Sequence, residues 1–171
     1  YHPFSEKIVA GLGVYIPSGL GAGWPGADFE PISMGAEYVW SSRIGLVTIA
    51  PALGFRINDW ISFGVSLNIN YGTFSLKMHA GAMDNPSPPP DQVDLGQYEE
   101  SMNGWGYGAT LGILAKPLER LSLGATLRTA SSVKLNGEAS ISNLSYLGYN
   151  STSDLERDLT WPMWIGAGAA Y

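Results

Sequence analysis

Few side chains in this sequence belong to the types that carry out catalysis. The chain has no cysteine and only two histidines, His2 and His79. It also lacks the Gly-x-Ser-x-Gly elbow that exposes a nucleophilic serine. Without cysteine, thiolate metal ligands and disulfides are excluded. The sequence therefore predicts neither an enzyme nor a bound cofactor.

Acidic residues gather after a proline-rich run. They are Asp91, Asp94, Glu99 and Glu100. Carboxylates of this kind bind Ca²⁺, but a hydrated acidic loop is the simpler interpretation, so no metal site is predicted. The proline-rich run, 86–90, is interpreted as a stiff loop arm. A formal net charge of −6 argues against a nucleic-acid partner.

The stretch from Trp60 to Tyr71 determines how the other elements are interpreted. Its apolar positions are Ile61, Phe63, Val65, Leu67, Ile69 and Tyr71, and its small polar positions are Ser62, Gly64, Ser66, Asn68 and Asn70. Such period-two alternation is typical of a β-strand with two unlike faces. Because neither face carries a charge, we predict that the apolar face contacts lipid and the other face lines a polar interior.

The composition favours the same interpretation. Charged residues make up 14% of the chain, whereas soluble domains average about 25%. Glycine accounts for 22 of 171 residues. A spanning helix needs about 18 consecutive apolar residues, and the sequence has no such run. We therefore predict an all-β protein, an antiparallel up-and-down transmembrane β-barrel, formed by one domain over residues 1–171.

Six strands are predicted, at about 7–16, 44–57, 60–71, 104–116, 121–141 and 159–171. Long outer loops at about 17–43, 80–103 and 142–158 alternate with short turns at Asn58-Asp59 and 117–120, as in outer-membrane barrels. We expect a bulge at Pro51, since proline lacks a ladder donor, and a bulge or an exit from the membrane near Gly72.

Alternation along each strand predicts which side chains face the lumen. In the fifth strand, Val133 and Leu135 are assigned to the lipid face. Arg128 and Lys134 are assigned to the lumen, where either could meet a carboxylate or pair with an acid such as Glu138. The aromatic girdle at the outer rim is expected to consist of Tyr71, Trp105, Tyr107 and Trp161.

Six strands are too few to close a barrel in lipid. The smallest membrane barrels have about eight strands, and an open sheet would leave unpaired backbone groups in hydrocarbon. We therefore expect these strands to be part of a larger barrel that is monomeric when complete.

Five sequence stretches occur in a characteristic order. They are G-L-G-V-Y-I-P-S-G-L-G at 11–21, I-N-D-W-I-S-F-G-V-S-L-N-I-N-Y at 57–71, N-G-W-G-Y-G-A-T-L-G-I-L at 103–114, L-S-L-G-A-T-L-R-T-A-S-S-V-K-L-N-G-E at 121–138 and L-T-W-P-M-W at 159–164. Their succession resembles the FadL/TodX-type porins, which transport long-chain fatty acids and hydrocarbons across bacterial outer membranes. The resemblance covers nearly the whole chain.

The resemblance implies both a fold and a transport route. The family fold is a fourteen-stranded barrel with an N-terminal plug, and this chain would supply the third to eighth strands. An outer-loop groove captures the ligand, the lumen holds it, and a kink in the third strand releases it sideways into the bilayer. The kink would correspond to Pro17, Ser18 and Gly19. The groove would include Leu95, Tyr98, Leu144, Tyr146 and Leu147.

The sequence departs from the family at two positions that the resemblance associates with a fatty carboxylate. Where family members place a basic residue late in their fifth strand and a hydroxyl near the kink, this chain has Met78 and Ile16. Lys77 and His79 flank Met78, so a shift of one residue would restore a cation. Otherwise an uncharged alkane or aromatic ligand is favoured.

Three functional classes therefore remain. A hydrophobic-substrate channel would lie in outer-membrane lipid and bind a fatty acid or hydrocarbon. A general diffusion porin would line its bore with opposed charges. A soluble β-sandwich binding module would bury Phe63, Leu67 and Leu111 beneath a second layer.

Overall fold

The computed structural model describes residues 1–85 and 91–171, which form one curved antiparallel sheet and a separate two-stranded hairpin. In chain order the strands are β1 (His2–Pro3), β2 (Ile8–Trp24), β3 (Trp40–Arg56), β4 (Ile61–His79), β5 (Ala82–Asn85), β6 (Asp91–Asp94), β7 (Gln97–Leu118), β8 (Leu121–Arg128), β9 (Ser131–Ile141), β10 (Thr152–Trp161) and β11 (Trp164–Ala170). Two 3₁₀-helices, Gly26–Ile32 and Leu144–Leu147, lie in the connections. The proline-rich run 86–90 falls outside the described residues. Within those residues, no helix is long and apolar enough to cross a membrane.

The long strands follow six paths, as predicted. β2, β3, β4 and β7 are neighbours in that order. β8 and β9 are two halves of one path, because both pair with β7. β10 pairs with β9 and β11 with β8, so these two also continue one another. The short turns at 57–60 and 119–120 lie at the same end of the sheet, in agreement with the predicted alternation of loops.

The strands extend further than the sequence pattern indicated. β4 pairs with β7 in one unbroken register, from Ile61 opposite Ala115 to His79 opposite Gln97. Between long strands, the connections on the other side are 25–39, 80–96 and 142–151, shorter than the predicted loops. The ends of β4, β7 and β10 are polar on their outer face and the end of β2 is rich in glycine, and both features made these segments resemble loops.

No extra residue is inserted at Pro51 or Gly72, the two positions where an irregularity was predicted. Ile49 lies opposite Ile69 and Ala52 opposite Ser66, so the register is the same on both sides of Pro51. The bulge predicted there is wrong, because the missing N–H of Pro51 interrupts the ladder without shifting it. At Gly72 the register is also continuous, and the convex face becomes polar beyond it, which agrees with the alternative of an exit from the membrane.

The two faces of the sheet differ in curvature and chemistry. The guanidinium of Arg128 in β8 lies 5.9 Å from the ring centre of Tyr15 in β2, although β3, β4 and β7 run between them. The face that carries these two side chains is therefore concave, and we call it the lumenal face. Asn68 and Asn70 are buried on it, whereas Phe63 and Leu67 are exposed on the convex face.

The convex face carries an apolar band of membrane height. From Ile61 to Tyr71 the strand rises roughly 33 Å at about 3.3 Å per residue, and a tilt of about 40° reduces this to about 25 Å, the apolar height of outer-membrane barrels. Tyr71 and Trp105 pack together at its upper edge, with ring centres 4.9 Å apart and ring planes tilted by 52°. In the described part of the chain no second sheet covers this band, contrary to the sandwich alternative.

One extra residue separates β8 from β9. Arg128 lies opposite Thr110 and Val133 opposite Gly106, so residues 129–132 face only 107–109. Thr129 closes this bulge, because its N–H donates to the Ala109 carbonyl and its hydroxyl accepts the Ala109 N–H, both at 2.9 Å.

The bulge reverses the alternation beyond it. Val133 and Leu135 are buried on the lumenal face, whereas Lys134 and Glu138 are exposed on the convex face. The predicted faces of these four residues were therefore wrong. Trp161 packs against the lumenal side chains and does not belong to the outer girdle, which is a second correction.

Glycines on the lumenal face allow the sheet to curve tightly. A Cβ at Gly104 would overlap the carbonyl oxygen of Lys134. At Gly72 it would lie 3.0 Å from Val133 Cγ1 and 3.3 Å from Leu135 Cδ2. The absence of side chains at these positions brings β9 close to β4, although β7 lies between them.

Substituting Gly104 should therefore test the packing of the curved sheet. We expect Gly104→Ala to destabilise the full-length protein by about 1–3 kcal/mol, because the added methyl forces the backbone of β9 away. Gly112→Ala, on the same strand and face, is the matched control, since its Cβ would lie 3.9 Å from the nearest atom, the Ala125 carbonyl oxygen. Urea unfolding in lipid vesicles measures both, and equal effects would contradict this packing.

A charge placed on the apolar band should be costly only inside the membrane. Leu67 lies near the middle of the band, so Leu67→Arg should lower the free energy of unfolding in vesicles by about 2–4 kcal/mol. Asn103→Arg, which is exposed on the same face above the band, should cost about 0–1 kcal/mol. If the two substitutions cost the same, the band does not contact lipid.

Candidate ligand-binding site

An apolar cluster fills the lumenal face above its middle. We call it the lumenal cluster; it consists of Leu46, Met102, Val133 and Leu135, each at most 2% exposed. Phe74, Leu155, Leu159 and Trp161 pack against it. These side chains come from β3, β4, β7, β9 and β10 and converge because the intervening positions are glycine. The four half-buried side chains cover the cluster and give the lumenal face an apolar surface where a hydrophilic bore would have polar groups.

Large side chains line the lumenal rim above the cluster. Trp24 pairs with Trp40, and Met78 pairs with Tyr98. The register places Trp40 next to Met78, since Ser41 lies opposite Lys77. We call Trp24, Trp40, Met78 and Tyr98 the mouth row. Phe29 of the first 3₁₀-helix stacks on Trp40 with ring centres 4.4 Å apart, which extends the row into the loop 25–39.

A charged pair lies between the mouth row and the lumenal cluster. Arg157 Nη2 is 3.0 Å from Glu100 Oε1, and the guanidinium lies 5.0 Å from the ring centre of Phe74. The Glu100 side chain is 1% exposed, and its Oε2 accepts the Tyr98 hydroxyl at 3.2 Å. Among the described residues, Oε1 has no aligned hydrogen-bond donor despite the short distance to Arg157. Burial and the Glu100 carboxylate both raise the pKa of Tyr98.

A belt of hydrogen-bonded polar side chains lies below the cluster. The Thr48 hydroxyl donates to Asn70 Oδ1 at 2.6 Å, and Asn70 Nδ2 donates to the Ser131 hydroxyl at 2.7 Å. Asn68 Nδ2 donates to the Thr110 hydroxyl at 2.8 Å. These bonds satisfy amides that would otherwise be costly to bury. Further below, small side chains leave a groove of about 390 Å³ along the lumenal face.

The strand that was predicted to contain the gate has one bulge. Tyr15 lies opposite Thr48 and Ser18 opposite Leu46, so Ile16 and Pro17 together face Val47. Pairing resumes at Ser18 and Gly19. Of the three predicted gate residues, only Pro17 therefore lies in the interruption, together with Ile16, which is 71% exposed.

Three connections meet above the mouth in what we call the loop network. Tyr38 donates its hydroxyl to Asp94 and stacks on His79 with ring centres 4.9 Å apart. His79 Nε2 lies 2.8 Å from Asp94 Oδ1. Gln97 accepts the Val39 N–H at 2.8 Å, and its own N–H donates to the Ser142 hydroxyl at 2.9 Å. These contacts join the loops 25–39, 80–96 and 142–151.

Charge and burial set the protonation of the loop network. The hydrogen bond to Asp94, burial and the nearby carboxylate charge together raise the pKa of Tyr38 to about 12. Burial alone would raise the pKa of Asp94, but hydrogen bonds from Tyr38, the Gly96 N–H and His79 lower it overall. Gly96 has φ of +82°, and a Cβ there would overlap Ser142, so a larger residue would separate the loops.

The structure distributes the candidate ligand-binding residues over several places. Met78 and Tyr98 are brought together in the mouth row. His79 is buried in the loop network. Lys77 faces the convex side and pairs with Glu99 at 3.0 Å, so an unbroken register keeps it out of the lumen. Arg128 is lumenal, above the ring of Tyr15.

The remaining candidates lie in the outer connections or in the bulge. Leu95 is half-buried next to the loop network, where its N–H donates to Gly81 O at 3.0 Å. Leu144 and Leu147 are half-buried in the second 3₁₀-helix, whereas Tyr146 is 87% exposed. Ile16 is separated from the mouth row along β2.

Sequence reasoning did not identify the lumenal cluster or the Glu100–Arg157 pair. Glu100 had been grouped with the acidic loop, but continuous pairing places it on β7. In the part of the chain that the structure describes, no group of three His, Cys, Asp or Glu side chains is arranged to hold a metal ion. Met102 lies two positions after Glu100 and therefore on the same face of a strand. This apolar residue was the indication in the sequence that the stretch continues a lumenal strand.

A family model for outer-membrane transport proteins, described as OMPP1/FadL/TodX, matches residues 1–168. The chain belongs to the OMPP1/FadL/TodX family. The suspected resemblance is therefore confirmed, and the protein is an outer-membrane β-barrel protein of which these strands form a part. The family comprises transport proteins. No curated protein sequence matches the chain significantly.

Solved structures of the family share its fold. A Pseudomonas aeruginosa FadL homologue is 18% identical with a TM-score of 0.73, and the match covers 98% of this chain and 42% of that one. The P. putida toluene transporter TodX is 14% identical with a TM-score of 0.62, covering 96% and 47%. The CymD monoaromatic hydrocarbon channel is 15% identical with a TM-score of 0.59, covering 96% and 46%. The chain spans less than half the length of these FadL/TodX-family structures.

The pKa of Tyr38 provides a test of the loop network in the full-length FadL/TodX-family protein. Because the folded-state pKa is raised, the stabilisation that Tyr38 contributes is fully present below about pH 10, the ordinary tyrosine value, and is lost as pH rises through about 12. The absorbance difference at 295 nm between wild type and Tyr38→Phe should therefore titrate near pH 12. In an Asp94→Asn background the same difference should titrate closer to pH 10. A wild-type difference that already titrates near pH 10 would contradict the Tyr38–Asp94 bond.

Proposed function

We propose that the full-length protein carries hydrophobic small molecules across the outer membrane. The observation that supports this most directly is the lumenal cluster together with the four half-buried apolar side chains that pack against it, which come from five strands and cover the concave face of a membrane sheet. An interior surface of this kind binds apolar ligands by removing them from water. Membership of the FadL/TodX family of transport proteins agrees with this proposal.

The proposed route begins at the mouth row. Trp24, Trp40 and Tyr98 offer aromatic surface to an apolar ligand that arrives from the loops. The ligand then reaches the half-buried apolar side chains that cover the lumenal cluster and is held above the polar belt. We propose that it leaves sideways at the bulge of Ile16 and Pro17, where the ladder between β2 and β3 is already interrupted and fewer hydrogen bonds must open.

A general diffusion porin is the weaker alternative. Such a bore keeps water and opposed charges along its wall. Here, among the lumenal positions described above the polar belt, the only charged side chains are Glu100 and Arg157, which neutralise each other. Most other lumenal positions at this height are apolar or glycine. This lining supports passage of apolar molecules over hydrophilic solutes.

Uptake by the full-length protein in proteoliposomes tests the proposal. Wild type should transport radiolabelled toluene or oleate, and Phe74→Ser should lower the initial rate about tenfold by removing part of the apolar surface. That factor corresponds to a loss of about 1.4 kcal/mol, just below the roughly 1.5–3 kcal/mol for full burial of one apolar side chain, because Phe74 is only half-buried. Thr73→Ser, the neighbouring residue on the convex face, is the matched control and should leave uptake unchanged.

Two outcomes would reject the transport proposal. One is free passage of small hydrophilic solutes with no uptake of toluene or oleate. The other is equal uptake by wild type and Phe74→Ser, which would mean that the apolar side chains packed on the lumenal cluster do not contact the ligand.

A further inference from the structure

The position of Arg157 makes it a candidate for controlling which ligands reach the lumenal cluster. It begins on β10 and extends across β9 and β7, so that its guanidinium lies between Glu100 on β7 and Phe74 on β4. Leu135, which pairs with Arg157, belongs to the cluster. A ligand that moves from the mouth row toward the cluster therefore meets the partly exposed Arg157 side chain, whose acidic partner is buried.

The charge of Arg157 is already matched within the protein. The Glu100 carboxylate lies 3.0 Å away and is almost completely buried. Taking a carboxylate out of water is costly unless a cation compensates it, so Glu100 depends on Arg157. A ligand carboxylate would have to displace Glu100 or lie next to it, and like charges at short range repel strongly in a poorly solvated site.

An uncharged ligand meets no such competition. The Arg157 side chain is 41% exposed and its guanidinium is held against Phe74, which leaves a flat surface on which an aromatic or aliphatic group can pack. Arg128, another lumenal cation, lies at the level of the polar belt, opposite the belt residue Thr110, and its guanidinium is held against Tyr15. It is therefore not positioned at the approach to the cluster.

We propose that Glu100 makes this protein select uncharged hydrophobic ligands over carboxylates of the same chain length, by neutralising Arg157 at the approach to the lumenal cluster. This inference rests on the proposed transport of hydrophobic molecules and specifies its substrate class. Arg157 would otherwise be a free cation facing the mouth, suited to bind a fatty carboxylate.

The test compares two ligands of the same chain length, decanol with an uncharged hydroxyl head group and decanoate with a carboxylate, at pH 8. Their dissociation constants are measured with the full-length protein in detergent. Wild type should bind decanol at least tenfold more tightly than decanoate. Glu100→Gln leaves Arg157 unpaired and should raise the affinity for decanoate about tenfold, with the affinity for decanol changed less than twofold.

A matched control lies at the adjacent position of the same strand. Glu99 also forms a 3.0 Å ion pair, with Lys77, but on the convex face. Glu99→Gln removes the same charge and should leave the decanol-to-decanoate ratio at the wild-type value. The double substitution Glu100→Gln with Arg157→Gln should lose the affinity for decanoate that Glu100→Gln gains.

The possible outcomes separate this inference from the transport proposal. If wild type binds neither ligand, the proposed function fails. If wild type binds both but Glu100→Gln and Glu99→Gln give the same ratio, only the selectivity inference fails. The selectivity inference also fails if wild type binds decanoate and the Arg128→Gln variant does not, because the carboxylate would then be bound at Arg128. Should Glu100→Gln not fold, Glu100→Asp keeps the charge but lengthens the pair, and an unchanged ratio in that variant would overturn the inference.

Discussion

The single extra residue between Arg128 and Val133 determines what the lumen contains. Because side chains alternate along a strand, inserting one residue exchanges the two faces for the rest of that strand. Here it turns Val133 and Leu135 inward and Lys134 outward. Thr129 makes the insertion stable, since its hydroxyl and N–H together satisfy both backbone groups of Ala109. Without this bulge the lumenal cluster would lose half of its members to the outer surface.

Curvature is the second condition that the cluster requires. Leu46 and Leu135 belong to strands that are separated by β4 and β7, and they approach one another because Gly72 and Gly104 lie between them. Larger side chains there would fill the lumenal face locally and flatten the sheet. The belt of Thr48, Asn70 and Ser131 then closes the cluster from below with satisfied hydrogen bonds, so the apolar region is limited to the upper half of the face.

The sequence was sufficient to predict the class of fold, because alternation over 60–71 and the short turns act locally. It was insufficient for the lumen because two features gave no local signal. Leu121 to Leu127 and then Val133 and Leu135 share one parity in the sequence, so the bulge between them is invisible to a count of alternation. Pro51 gave the opposite error, since a residue that commonly marks a bulge was accommodated within an unbroken register. The Glu100–Arg157 contact depends on two successive registers and could not be predicted from either segment alone.

The first residues of β7 contact both the loop network and the Glu100–Arg157 pair. Gln97 is held by Val39 and by the Met78 carbonyl, the latter at 2.9 Å, and it immediately precedes Tyr98. Tyr98 in turn donates to Glu100. The segment that contributes to the mouth row therefore also orients the carboxylate that neutralises Arg157. Because the Asp94 contacts fix the start of this segment, the geometry of ligand capture and the charge at the approach to the cluster depend on the same short stretch of backbone.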